Sequence, residues 1–300
     1  MTTSYATTAE LVEKVDLDPS KQKTLKNSVS IAGIGLFTAE NAILTIHPAK
    51  PGTGLLFQRS DLPNAPTFPA DLDHVVSTPR CTILGQSQCT IHTVEHVLAA
   101  LSALGVTNAL LELSGPEIPI MDGSSKPFVE AILEGEIIEQ TDPRDIHFLQ
   151  SCVSWTDGDV HLIAIPAEEF SISFTMHFPQ SKILGSQYLQ VPVNTKSFSE
   201  SIAPCRTFCL YEEIAPFIES GLIKGGGLDN AVIIKNDTVI NPDGVRFEDE
   251  MVRHKILDLI GDLALIPNGF VAHIIAIRSG HASNIAFARK LCNQIKMETA

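Results

Sequence analysis

Residues 93–104 read TVEHVLAALSAL. Apolar side chains at 94, 97, 98, 101 and 104 make one stripe at helical spacing, with Thr93 as a candidate N-cap and Gly105 as the stop. Upstream, residues 24–60 alternate short apolar runs with Gly33, Gly35, Pro48, Pro51, Gly52 and Gly54, the pattern of strands joined by tight turns. Downstream come a strand at 106–113 (VTNALLEL), a turn with Gly115 and Pro116, and the helix KPFVEAILEG, where Pro127 suits a first helical turn. The first half therefore reads β-rich, helix, strand, helix.

The second half repeats that rhythm. Strands are predicted near 146–155, 159–165 and 170–178, then a polar loop at 180–200, a helix at 211–220 (YEEIAPFIES) and a hairpin at 231–240. A long helix at 248–265 (EDEMVRHKILDLIGDLAL), a strand at 269–277 and a final helix at 281–296 complete it. Both halves are α+β, and the shared order of elements allows two copies of one architecture without a letter-by-letter repeat. The polar stretch 141–145 (TDPRD) is the best linker, so we expect domains at 24–145 and 146–300 after a flexible extension at 1–23.

A chain of 300 residues with 44% hydrophobic content can bury the cores of two modest domains. Its net charge of −14, from 21 basic and 35 acidic residues, argues against a nucleic-acid or anionic-membrane partner. An anionic substrate would need a local basic pocket. No apolar run reaches the roughly 18 residues of a membrane span. Even 94–111 is broken by Glu95, His96, Ser102 and Asn108. The first 23 residues lack the marks of a secretory or transit signal, and six scattered cysteines suit a reducing cytosol, so a cytoplasmic protein is expected. Cys205 and Cys209 lack a second cysteine pair and read as buried or pocket-lining thiols.

Four constellations could carry chemistry. His92 to His96 spells H-x-x-E-H, a metalloprotease string, although His92 precedes the predicted cap and need not share a helix face with His96. His254, Asp258 and Asp262 stand four apart on one face of the long helix, where imidazole and carboxylate make a workable zinc half-site. Taken alone, such a pair is more often a surface or interhelical polar pair, and Glu95-His96 a satisfied buried pair. Ser279-Gly280-His281 forms a polar turn at a strand end. Lys224 followed by Gly225, Gly226 and Gly227 could bring backbone amides to an oxyanion, but has neither P-loop nor dinucleotide spacing.

Seven strings in one order carry a resemblance: GIGL at 33–36, TVEH at 93–96, IPIMDGSS at 118–125, RTF at 206–208, GLIKGG at 221–226, FEDEMVRHKILDLIGDL at 247–263 and SGHA at 279–282. Over residues 24–298 the chain resembles the UDP-3-O-acyl-N-acetylglucosamine deacetylase family, zinc enzymes of the committed step of lipid A synthesis. The resemblance implies two α+β domains whose helix layers face each other across the active site. It implies one zinc ion on His96, His254 and Asp258, with Glu95 as general base and His281, oriented by Asp262, as second catalytic group. Thr207 would position the carbonyl, Phe208 stack on the sugar, and Lys255 meet the anionic part of the substrate. Lys224 and Gly225 would join the substrate contacts, and the 205–227 region would pass the acyl chain. A monomer is expected, and iron(II) can take such a site in place of zinc.

The family string GIGLHSG carries a histidine where this chain has Phe37, so altered contacts are expected near the pocket mouth without loss of activity. Two rival readings are a zinc peptidase using His92 and His96, and a sugar-nucleotide-binding protein without turnover.

Overall fold

The computed structural model describes Val12 and residues 17–299. Asn41–Pro48 (NAILTIHP) shows how its sheets form: Ala42, Leu44 and Ile46 point inward and are buried, while their neighbours face out. This strand belongs to a five-stranded sheet ordered Val29–Ile34, Asn41–Pro48, Ala109–Leu113, Leu55–Arg59, Thr67–Pro69. Neighbours are antiparallel except Ala109–Leu113 and Leu55–Arg59, which run parallel. A second five-stranded sheet runs Val153–Asp157, Val160–Ile165, His273–Ile277, Ser171–Phe178, Gly185–Pro192. Its third and fourth strands are again the parallel pair and the rest antiparallel. The two halves therefore share one topology, as the repeated order of elements suggested. Among the described residues every sheet lies wholly within 21–143 or within 147–277.

Among the described residues the longer helices are α1 (Glu95–Ala103), α2 (Lys126–Glu134), α3 (Tyr211–Glu219), α4 (Glu250–Leu263) and α5 (His281–Thr299), besides a 3-10 turn Leu72–His74, a one-turn helix Thr195–Ser197 and a π-turn Phe198–Ile202. In α1 every residue but Ser102 is buried, and in α4 only Arg253 and Lys255 are partly exposed. Helices covered on nearly every side belong inside a molecule, and α1 and α4 pack against each other there, flanked by α2 and α5. Gly261 permits the approach, since a Cβ at that position would collide with the Glu95 carbonyl. The α+β class with facing helices follows directly.

Five expectations need correction. Thr93 is no cap: it sits at φ 60° and its hydroxyl donates to Glu117, while the helix starts from Val94 without a side-chain cap. The polar loop at 180–200 contains the strand Gly185–Pro192, an edge strand covered on one face, whose Gln187, Tyr188 and Gln190 hide the alternation. Lys21–Leu25 is a strand antiparallel to Ile137–Pro143, so residues 21–23 are not loose extension and 141–143 are not linker. The rest of the predicted extension, apart from Val12 and 17–20, lies outside the described residues. The last helix runs on to Thr299. No described helix is long and apolar enough to cross a membrane.

Candidate metal centre

α1 delivers Glu95 and His96 in its first turn, and α4 delivers His254, Asp258 and Asp262 one turn apart along the face turned to α1. His96, His254 and Asp258 each offer a ligand atom, all within 4.8 Å of one another. All three are buried, at 3%, 2% and 4% exposure. His254 Nε2 lies 3.3 Å and His96 Nε2 3.9 Å from Asp258 Oδ1, with the two rings edge to face.

The protonation pattern suits a cation. His254 Nδ1 is 3.0 Å from the Cys205 carbonyl, which can only accept, so Nδ1 carries the hydrogen and Nε2 presents its lone pair. Burial, reinforced by His254, holds His96 down to about 3, so its ring is neutral; its buried Nδ1 has no hydrogen-bond partner. Burial likewise lowers His254. Burial acts to raise Asp258, but Lys255 at 2.9 Å and the three histidines win and hold it well below the usual carboxylate range. Two neutral imidazoles and an ionised carboxylate, their donor atoms converging, form a set that a divalent metal completes.

Next to this cluster stand a carboxyl group and an imidazole whose proton affinities are both raised. Burial pushes the Glu95 carboxyl up to about 7, with His281 opposing and Asp258 and Asp262 adding to the rise. The Thr82 N–H donates to Glu95 Oε2 at 3.0 Å. For His281 burial acts to lower the pKa, but Asp262, Asp258 and Glu95 outweigh it and raise the ring to about 9. Asp262 is fully buried and accepts from His281 Nδ1 at 2.9 Å, Asn284 Nδ2 at 2.9 Å and Thr82 Oγ1 at 2.5 Å. That grip turns His281 Nε2 toward Glu95 Oε1 at 3.9 Å and Asp258 Oδ2 at 4.0 Å.

Glu95, His96, His254, Asp258 and His281 line a cavity of about 260 Å³. Thr207, Phe208, Lys255 and Phe37 also reach its wall, and Phe208 meets Phe178 edge to face at 5.9 Å. Lys224 and Gly225 do not line it. Lys224 is exposed, and the Gly225 N–H is already spent on the Leu36 carbonyl, with Gly35 backbone occupying the place of a Cβ. His92 is absent from the ligand group; its backbone bridges to the 116–118 segment ahead of the helix. Cys209 lines the cavity, its thiol pushed up to about 11 by burial, and Cys205 is buried, so that pair consists of free thiols. Thr82, Asn284 and the Cys205 carbonyl went unread in the sequence: the two side chains sit in no motif, and a backbone acceptor has no residue signature.

Comparison with known proteins identifies relatives along nearly the whole chain. The LpxC family model, described as UDP-3-O-acyl N-acetylglycosamine deacetylase, matches residues 22–293. A UDP-3-O-acyl-N-acetylglucosamine deacetylase of Chlamydia pneumoniae is 47% identical over 277 residues, covering 92% of this chain and 98% of that protein. Its counterpart in Chlamydia caviae is 47% identical over 90% of this chain and 96% of the relative. The protein of that name in Chlamydia trachomatis serovar L2 is 43% identical over 92% and 96%. With a family match across nearly the whole chain and relatives this similar, the chain belongs to the UDP-3-O-acyl N-acetylglycosamine deacetylase family.

Proposed function

We propose that this chain hydrolyses the acetamide of UDP-3-O-acyl-N-acetylglucosamine to UDP-3-O-acyl-glucosamine and acetate, the committed step of lipid A biosynthesis. The observation that carries the reading is the meeting of three buried ligand groups, His96, His254 and Asp258, with Glu95 and His281 on one cavity wall. The substrate is that of the relatives' name. Zinc is the ion we assign, because two imidazoles and a carboxylate make a three-ligand set with a fourth position to spare; iron(II) suits the same set. When bound, such an ion supplies Lewis acidity that acidifies water and polarises a carbonyl.

The chain's own residues then move the protons. Glu95, with a pKa near neutrality, accepts a proton from the attacking water at its carboxylate. His281, kept charged and aimed by Asp262, faces the developing oxyanion and returns a proton to the leaving amine. Thr207 positions the reacting carbonyl and Phe208 stacks on the sugar ring, both from the cavity wall. Lys255 holds its charge beside Asp258 and meets the anionic part of the substrate, the local basic group that an acidic chain needs. Apolar lining by Leu36, Phe178 and Leu210 suits the acyl chain.

The division of every sheet between 21–143 and 147–277 supports domains meeting near residue 145, each contributing ligands to the ion. Six free cysteines support a cytoplasmic setting, and a monomer suffices because the ligand set needs no second subunit. The test is incubation of zinc-loaded protein with the acylated UDP-sugar while acetate is measured, with Glu95→Ala as control. Acetate from the wild type alone is expected; none from either would sink the reading.

A further inference from the structure

Glu117 is 1% exposed and belongs to none of the groups that act on the substrate. Its partners are all N–H or O–H donors. Oε1 accepts from the Phe37 N–H at 3.0 Å and the Thr93 hydroxyl at 3.0 Å. Oε2 accepts from the Thr38 N–H at 2.9 Å and the Thr38 hydroxyl at 2.8 Å. The loop closes tightly on this carboxylate, for a Cβ at Gly35 would collide with Oε2. Behind it, the His92 N–H donates to the Pro116 carbonyl and the Ile118 N–H to the His92 carbonyl, so the segment carrying Glu117 is pinned to the chain just ahead of α1.

Two of the residues it grips, Phe37 and Thr93, line the catalytic cavity. Thr93 is β-branched yet stands at φ 60°, a left-handed conformation that such residues avoid and that persists only where surroundings enforce it. Two residues later the chain delivers Glu95, and one further on His96.

We propose that Glu117 is a positioning residue: its carboxylate ties the cavity wall at Phe37 and Thr38 to Thr93, and through the left-handed backbone of Thr93 sets the direction in which α1 presents Glu95 and His96. A carboxylate suits this task because both oxygens face donors; the amide of glutamine would turn an NH₂ group toward one of them.

This inference rests on the deacetylase reading, and a double-mutant cycle on acetate release tests it. Glu117→Gln and Thr93→Val should each lower kcat on the order of 10- to 100-fold, the range for loss of an orienting contact, with the bound metal retained and KM changed less. The double variant should be no slower than the slower single, since both break one link. Thr93→Ser, which keeps the hydroxyl, should run near the wild-type rate. Wild-type kcat per folded molecule in Glu117→Gln, or losses that multiply in the double variant, would overturn the proposal. A lowered melting temperature with unchanged kcat, the signature of a merely structural role, would do the same. Should Glu117→Gln not fold, the comparison of Thr93→Ser with Thr93→Val decides, and equal rates overturn it. A wild type that releases no acetate would instead refute the deacetylase reading.

Discussion

Glu95 shows how much a single residue's role depends on what surrounds it. In the sequence it is one acidic letter at the head of an apolar helix; in the fold, burial brings its carboxyl to about 7 beside three ligand groups. Replacing it by alanine should slow acetate release by a factor on the order of 10² to 10⁴ while bound metal, measured by mass or absorption spectrometry, stays at wild-type content. Equal rates would remove Glu95 from the role of base. The ligand choice is checked in the same measurement: Asp258→Ala should lose the metal and His92→Ala should keep it. Spacing alone made His254, Asp258 and Asp262 share a helix face, and the structure agrees. It left His92 and His96 undecided, because the turn at Thr93 depends on a left-handed backbone held from residue 117, which no local pattern announces. The family strings separated them. Thr82 was out of reach altogether, since its bond to Asp262 joins residues 180 apart in the chain.

At the level of elements, the long periodic helices were readable and the polar edge strands were not. α1 and α4 carry enough apolar side chains to announce themselves, whereas Lys21–Leu25 (KQKTL) is polar although largely buried and Gly185–Pro192 is covered on one face only, so both look like loop. What the periodicity of α4 could not convey is why residue 261 is glycine. Its Cα lies against the Glu95 backbone, so Gly261→Ala should push the two helices apart. We expect a loss of about 1–3 kcal/mol in denaturant unfolding, the usual cost of overpacking, together with reduced turnover, because the displaced backbone is that of Glu95, the proposed base. Unchanged unfolding would contradict the close approach. α5 offers a test against acid. Burial acts to raise Glu298, but bonds from Gln294, His147 and the Gln150 and Ser151 N–H groups win and hold it down to about 2 from 4.5. A depressed folded pKa means these bonds stabilise the protein above the unfolded value and are lost as pH falls through the folded one. The protection factors of the Gln150 and Ser151 amides, exchange rates taken relative to the intrinsic rate at each pH, should therefore stay high near pH 5 and fall toward pH 2. In Glu298→Gln the protection should be weak throughout and nearly independent of pH.

Across the whole molecule, two copies of one five-stranded topology stand back to back with their helices between them, and the ligand set draws on both: His96 from the first half, His254 and Asp258 from the second. Neither half holds enough donors alone. A metal seated there crosslinks α1 to α4, and because the unfolded chain does not bring residue 96 near residues 254 and 258, the ion binds the folded state in strong preference. Mass action then requires that removing it lower stability, and that stability recover with free ion, by about 2.7 kcal/mol when zinc stands at a hundred times its Kd. Protein stripped with a chelator should melt at a lower temperature than the same protein reloaded with zinc, with one transition for both halves. The melting temperature should climb with the logarithm of free zinc above Kd. His254→Ala, lacking one ligand, should melt at nearly the same temperature with or without the ion. Coincident melting of stripped and reloaded wild type would mean that the three side chains do not hold a metal across the interface, and the proposed chemistry would lose its centre.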